Sequence, residues 1–213
     1  MICVENVTKR YGETEVLSDI CMELSDGRIY GLVGRNGCGK TMLMKCVSGF
    51  VRPDSGMIRI DGKRLYQDME MPQDMGIIIE NPGFIPYYSG YKNLRLLACV
   101  RNKIGREQIV EYMDKLGLDA RSRKHVSAYS LGMKQKLGII QAVMEKPSLL
   151  ILDEPMNGLD QGSVRMVREL LKEISCEGTL VLLASHNRED IEVLCDRVYY
   201  MDAGKIVGKK DAG

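Results

Sequence analysis

Short, continuous apolar runs bounded by turn residues occupy both ends of this chain, whereas its middle carries apolar residues three and four positions apart. Ile29-Tyr30-Gly31-Leu32-Val33, Met75-Gly76-Ile77-Ile78-Ile79, Leu149-Leu150-Ile151-Leu152 and Thr179-Leu180-Val181-Leu182-Leu183-Ala184 are each apolar on nearly every position, the pattern of strands buried on both faces. Ile2-Cys3-Val4 and Met57-Ile58-Arg59-Ile60 complete a β-rich stretch from Ile2 to Ile60, with turns at Asp26-Gly27 and Pro53-Asp54-Ser55-Gly56. Met42 to Val47 reads as the first turns of a helix, and Ser163 to Ile174 as an amphipathic helix between two buried strands. Between about Asn93 and Val143 no strand pattern appears, and segments such as Glu107 to Leu116 are helical in spacing. Val198 to Val207 predicts a closing hairpin around a Gly turn. Strands alternating with helices predict an α/β fold with a largely parallel sheet and an inserted helical subdomain.

The chemistry begins where the second apolar run meets the first helix. Gly34-Arg35-Asn36-Gly37-Cys38-Gly39-Lys40-Thr41 is a complete G-x-x-x-x-G-K-T loop in the strand, loop, helix context that cradles a nucleoside triphosphate. Its glycines let backbone N–H groups close on phosphates, the helix N-terminus adds partial positive charge, and Lys40 adds a full one. Thr41 is left to hold Mg²⁺ through its hydroxyl. The nucleotide set is thus Gly34, Arg35, Asn36, Gly37, Cys38, Gly39, Lys40, Thr41 and Met42. Asp153 and Glu154 close a buried strand, where one carboxylate can hold the cation and the other polarise a water. His186 ends the next buried strand and reaches the same sheet edge, where open α/β sheets bind ligands.

Composition narrows the class. A length of 213 residues with 45% hydrophobic and 28% charged content suits one large globular domain. Its apolar runs are far too short to span a bilayer, and Met1 to Asn6 shows no secretory pattern, so a cytoplasmic location is expected. Net charge is +1 with Lys and Arg dispersed rather than in a run, so no direct nucleic-acid partner is expected. Seven cysteines without a C-x-x-C pair predict reduced thiols rather than a disulfide frame. Cys38 is the one placed to be reactive, inside the phosphate loop near a helix N-terminus; its simpler reading is a small residue at a tolerant position.

With these residues in order, the chain resembles the ATP-binding cassette (ABC) ATPases, specifically the nucleotide-binding subunits of transporters, over essentially its full length. Tyr11 corresponds to the family's adenine-stacking aromatic, Gly34 to Thr41 to Walker A, and Asp153 with Glu154 to the close of Walker B. Ser130-Leu131-Gly132-Met133-Lys134-Gln135 stands at the signature, Met156 to Asp160 at the D-loop, His186 at the switch and Glu80 at the glutamine loop. The resemblance implies a RecA-like P-loop core from 1–84 and 145–213, an N-terminal antiparallel β subdomain and a helical signature subdomain at 85–144. It also implies ATP and Mg²⁺ as cofactors, with Thr41, Glu80 and Asp153 on the metal and Glu154, His186 and Lys40 catalytic. Further implied is a head-to-tail homodimer, or a pair with a second cassette chain, in which Ser130 and Gly132 of one subunit cover the ATP of the other. Leu131 departs from the family's Gly, and Glu80 from its Gln; the second change adds a carboxylate near Mg²⁺, so Glu80→Gln is expected to alter Mg²⁺ dependence.

Those two departures are similar to the bacitracin and lantibiotic resistance branch of bacterial exporters. That implies an ATPase at the cytoplasmic face of the plasma membrane, driving a separate multi-span permease. A groove beginning at Asn81 and including Phe84, Ile85, Pro86, Tyr87, Tyr88 and Tyr91 is expected either to receive the permease or to pack the helical subdomain. The competing readings are a non-transport ABC ATPase acting on ribosomes or nucleic acid, and a regulatory module that binds ATP without hydrolysing it.

Overall fold

The computed structural model describes residues 1–80 and 82–211; Asn81, read above as the start of the groove lining, lies outside them. Strands β1 (Ile2–Tyr11), β2 (Thr14–Leu24) and β3 (Ile29–Val33) lead to helix α1 (Lys40–Val47), then β4 (Ser55–Ile60), β5 (Lys63–Arg64) and β6 (Met75–Ile78). Helices α2 (Gly90–Arg101), α3 (Arg106–Lys115) and α4 (Leu131–Val143) follow. The chain then alternates through β7 (Leu149–Asp153), α5 (Gln161–Cys176), β8 (Leu180–Ala184) and α6 (Arg188–Leu194), and ends in the hairpin β9 (Arg197–Asp202) and β10 (Lys205–Asp211).

Two sheets result. An antiparallel sheet has the order β2-β1-β4-β5, and a larger one the order β10-β9-β3-β8-β7-β6, parallel throughout except for β10. The α/β class with a parallel sheet and an N-terminal antiparallel sheet is therefore as expected. Strand β2 was not read from sequence. Its alternation carries Glu15, Asp19 and Glu23, it shifts register against β1, and Asp19 has φ 52. A bulged, half-polar strand departs from a clean period of two.

The central sheet is buried on both faces, which explains its uninterrupted apolar strands. Leu150, Leu152, Val181 and Leu183 face a core shared with α2 to α6. Their neighbours Leu149, Ile151, Leu180, Leu182 and Ala184 face a second core with α1 and the antiparallel sheet. Alternate side chains thus enter opposite layers. Close approach fixes one glycine: a Cβ on Gly76 of β6 would lie 1.9 Å from the Ala142 carbonyl of α4. Among the described residues, no helix is long and apolar enough to cross a membrane.

Candidate active site

The parallel strands β3, β7 and β8 deliver their C-terminal ends to one edge, and the site is assembled there. After β3 the chain turns into α1, capped by Gly39 in the left-handed region at φ 106 with no side-chain cap. A Cβ at Gly39 would also lie 2.9 Å from the Val16 carbonyl. The first N–H groups of α1 therefore have no side-chain acceptor, the arrangement that receives an anion. Lys40, 8% exposed, donates from Nζ to the carbonyls of Gly34 at 2.7 Å and Arg35 at 3.2 Å. Its charge lies across the loop.

Thr41 and Asp153 meet although they are far apart in sequence: the Thr41 hydroxyl donates to Asp153 Oδ2 at 2.6 Å. A hydroxyl and a carboxylate side by side at the phosphate end fit Mg²⁺, which takes few protein ligands and completes its shell with phosphate and water. Glu154 leaves β7 at φ 50 and donates its N–H to the Ala184 carbonyl of β8 at 2.9 Å. Its Oε2 lies 2.7 Å from His186 Nδ1 and accepts from the His186 backbone N–H at 3.3 Å. With its proton on Nδ1, the imidazole donates to this carboxylate and holds its orientation.

The cleft around these groups is lined by Val16, Asn36, Gly37, Gly39, Lys40, Thr41, Met42, Glu80, Gln135, Asp153, Glu154 and Asn157. Glu80 lies at the cleft but pairs with Lys45 of α1 at 2.6 Å, so its carboxylate is not gathered with Asp153 and Glu154. Among the described residues no group of three or more His, Cys, Asp or Glu is placed to hold a metal. Tyr11 is half exposed at the end of β1 with the Lys9 ammonium 5.5 Å from its ring, outside the cleft lining. Arg35 and Cys38 do not line the cleft either. Ser130 N-caps α4, its Oγ accepting from the Met133 N–H at 3.2 Å, and neither it nor Gly132 lines this protomer's cleft.

The Cys38 thiol is 4% exposed and packs in the core with α1 and the antiparallel sheet, contrary to a reactive thiol at the nucleotide. Burial also pushes the thiols of Cys46 and Cys195 up to about 12. Brief maleimide treatment of the folded protein is expected to modify the exposed Cys21, Cys99 and Cys176 and to leave Cys38 and nucleotide binding intact. Peptide mapping that finds Cys38 labelled first would contradict this packing.

Sequence reasoning gave no cleft role to Gln135, Val16 or Asn157. Gln135 Nε2 donates to the Pro155 carbonyl at 2.9 Å, just past Glu154. Behind His186 stands a second feature that sequence did not indicate. Asp190, 1% exposed, accepts from the Ser185 hydroxyl at 3.2 Å and from Arg168 of α5 at 2.5 and 3.0 Å. Ser185 Oγ in turn accepts from the Asn187 N–H at 3.1 Å. Both flanks of His186 are thereby tied to a buried ion pair.

Comparison with known proteins agrees with this geometry. Residues 17–157 match the protein family described as ABC transporter. The ABC transporter ATP-binding protein YybJ of Bacillus subtilis (strain 168) is 39% identical over 218 aligned positions, covering 100% of both chains. The bacitracin transport ATP-binding protein BcrA of Enterococcus faecalis is 41% identical over 209 positions, covering 97% of this chain and 68% of BcrA. A solved ATP-binding subunit of an ABC transporter superposes with a TM-score of 0.90 at 27% identity, covering 99% of this chain and 90% of that one.

Proposed function

The chain belongs to the ATP-binding subunits of ABC transporters, and from that premise we propose that it powers a separate membrane permease that exports peptide antibiotics of the bacitracin or lantibiotic class. ATP binding and hydrolysis are the family's activity, and its members act with membrane permeases on the cytoplasmic side. The observation that carries the catalytic assignment is the Glu154 carboxylate held 2.7 Å from His186 Nδ1, beside the Thr41–Asp153 pair.

In this reading the N-terminus of α1 and Lys40 bind the phosphates. Thr41 and Asp153 hold Mg²⁺, which when bound neutralises developing phosphate charge. Glu80 becomes available to the cation only when Lys45 releases it. Glu154 accepts the proton of the attacking water, and His186 keeps that carboxylate facing the γ-phosphate. Tyr11 stacks on the base. Ser130 and Gly132 lie outside their own cleft, so their natural ligand is the γ-phosphate held by a partner subunit, and loss of that phosphate reopens the dimer. Tyr87 is 74% exposed and Ile85 45%, which favours the groove role over core packing for these two. Phe84 and Tyr91 instead pack partly against the helical core.

The test is to tag the Glu154→Gln form in its native cells, trap it with Mg-ATP and identify what co-purifies. A multi-span membrane protein supports the transporter reading. Ribosomal proteins or nucleic acid would replace it with the non-transport one.

A further inference from the structure

Charge along this chain is partitioned in a way that the net value hides. Residues 81–144 hold eleven Lys and Arg against four Asp and Glu, a formal charge of +7, while the remainder carries −6 and the whole chain +1. No acid occurs from residue 81 to 106 or from residue 120 to 144. Of the eleven cations, Arg101, Lys103 and Lys115 have carboxylate partners among the described residues; the rest have none. Lys and Arg are dispersed along the whole chain, but the excess of cations over carboxylates falls within this one segment.

Part of this lobe presents cations and apolar groups together. The Arg123-Lys124-His125 loop is fastened to the aromatic segment, with a bridge between Ser89 and His125. The Val126 N–H donates to the Tyr88 carbonyl at 2.9 Å, and Ser127 N–H to that of Pro86 at 3.0 Å. Beside it α2 turns outward Lys92, Arg95, Leu96 at 42% exposure and Val100 at 81%. Lys92 Nζ stands 3.6 Å from the centre of the Tyr88 ring. Apolar residues four apart on a helix, interspersed with unpaired cations, complement an amphipathic helix whose apolar stripe is edged by carboxylates.

We propose that this face, formed by α2, residues 84–89 and the Arg123–His125 loop, binds an acidic amphipathic helix of the partner membrane subunit. The inference rests on the transporter reading and specifies the chemistry of the partner. Cytoplasmic loops of membrane proteins are biased toward Lys and Arg, so an acidic helix is an unusual feature that would confine this cassette to its own permease. Repulsion excludes the common basic loops, and attraction selects the matching one.

The experiment measures binding of the intact chain to two synthetic helical peptides with one Leu stripe, edged by Glu in the first and by Gln in the second. Vesicles of phosphatidylglycerol and phosphatidylethanolamine serve as a third probe. The Glu peptide is expected to bind about tenfold more tightly than the Gln peptide, with the preference shrinking as salt rises. The triple variant Arg95→Glu, Arg123→Glu, Lys124→Glu should lose that preference while keeping its Tm and its affinity for a fluorescent ATP analogue. A single Arg95→Gln variant, with a smaller loss, serves if the triple variant does not fold. Equal affinity for the two peptides would overturn the inference, and so would saturable binding to the anionic vesicles without peptide preference, which would assign the face to lipid headgroups. Failure of wild-type protein to bind the ATP analogue would refute the transporter reading itself, a separate outcome.

Discussion

Glu154→Gln lowers steady-state ATP hydrolysis by roughly 10²- to 10⁴-fold, the usual contribution of a positioned general base, while ATP binding persists. The amide keeps the shape of the side chain but cannot take a proton from water. Nothing that grips the phosphates changes, because Lys40 and the α1 N-terminus lie on another element and the neighbouring Asp153 keeps its own bond to Thr41. ATP-dependent dimers should therefore accumulate, seen as a nucleotide-dependent shift in light scattering. His186→Ala is expected to reduce kcat with little change in KM, because it removes the group 2.7 Å from Glu154 Oε2 and not a phosphate ligand. Residual hydrolysis within about tenfold of wild type in Glu154→Gln would assign the base to another residue.

The second large effect is on stability. Arg168→Met leaves Asp190 in the interior, 1% exposed, with only the Ser185 hydroxyl as partner. Stranding a buried charge typically costs about 3–5 kcal/mol. For a chain of this size that corresponds to a fall in Tm of about 10 °C. The exposed arm of the same guanidinium, its 2.8 Å contact with Glu189, carries little of this, so Glu189→Gln should move Tm by only a degree or two, consistent with the small worth of surface pairs. Adding Asp190→Asn to Arg168→Met removes the stranded charge yet keeps an acceptor for Ser185, and should recover much of the loss. Thermal unfolding of the four proteins separates these terms. If Arg168→Met melted like wild type, the pair would have no part in holding the His186 loop.

The fold was legible where burial is two-sided. Strands β3, β6, β7 and β8 are packed against a core on each face, so nearly every position is apolar and the pattern needs no knowledge of the partner strand. Strand β2 escaped because one of its faces is polar and its register slips, which requires β1 to be seen beside it. At the site, the phosphate loop, Asp153, Glu154 and His186 were legible because each sits where an apolar run ends. The Lys45–Glu80 pair, helix to loop, and the Arg168–Asp190 pair, helix to helix, were not, because partners 35 and 22 residues apart leave no periodic trace in either segment. Cys38 could be read two ways from its place in the motif, and the burial of its side chain in the core favours the simpler one, an inert small residue, over a reactive thiol.

Gln135 gives helix α4 a mechanical meaning. Ser130 stands at the N-terminus of that helix, and Gln135, five residues on, is hydrogen-bonded to the carbonyl of Pro155. At 1.5 Å per residue, roughly 7 Å of rigid rod separates them. Under the dimer proposed above, a partner that presses its triphosphate against Ser130 would push, through a little more than one helical turn and a single bond, on the backbone that carries Glu154. In the proposed dimer each Glu154 carboxylate is then strutted by the contact that seals the opposite nucleotide, and an unpaired protomer would hold that carboxylate on a strut with one end free.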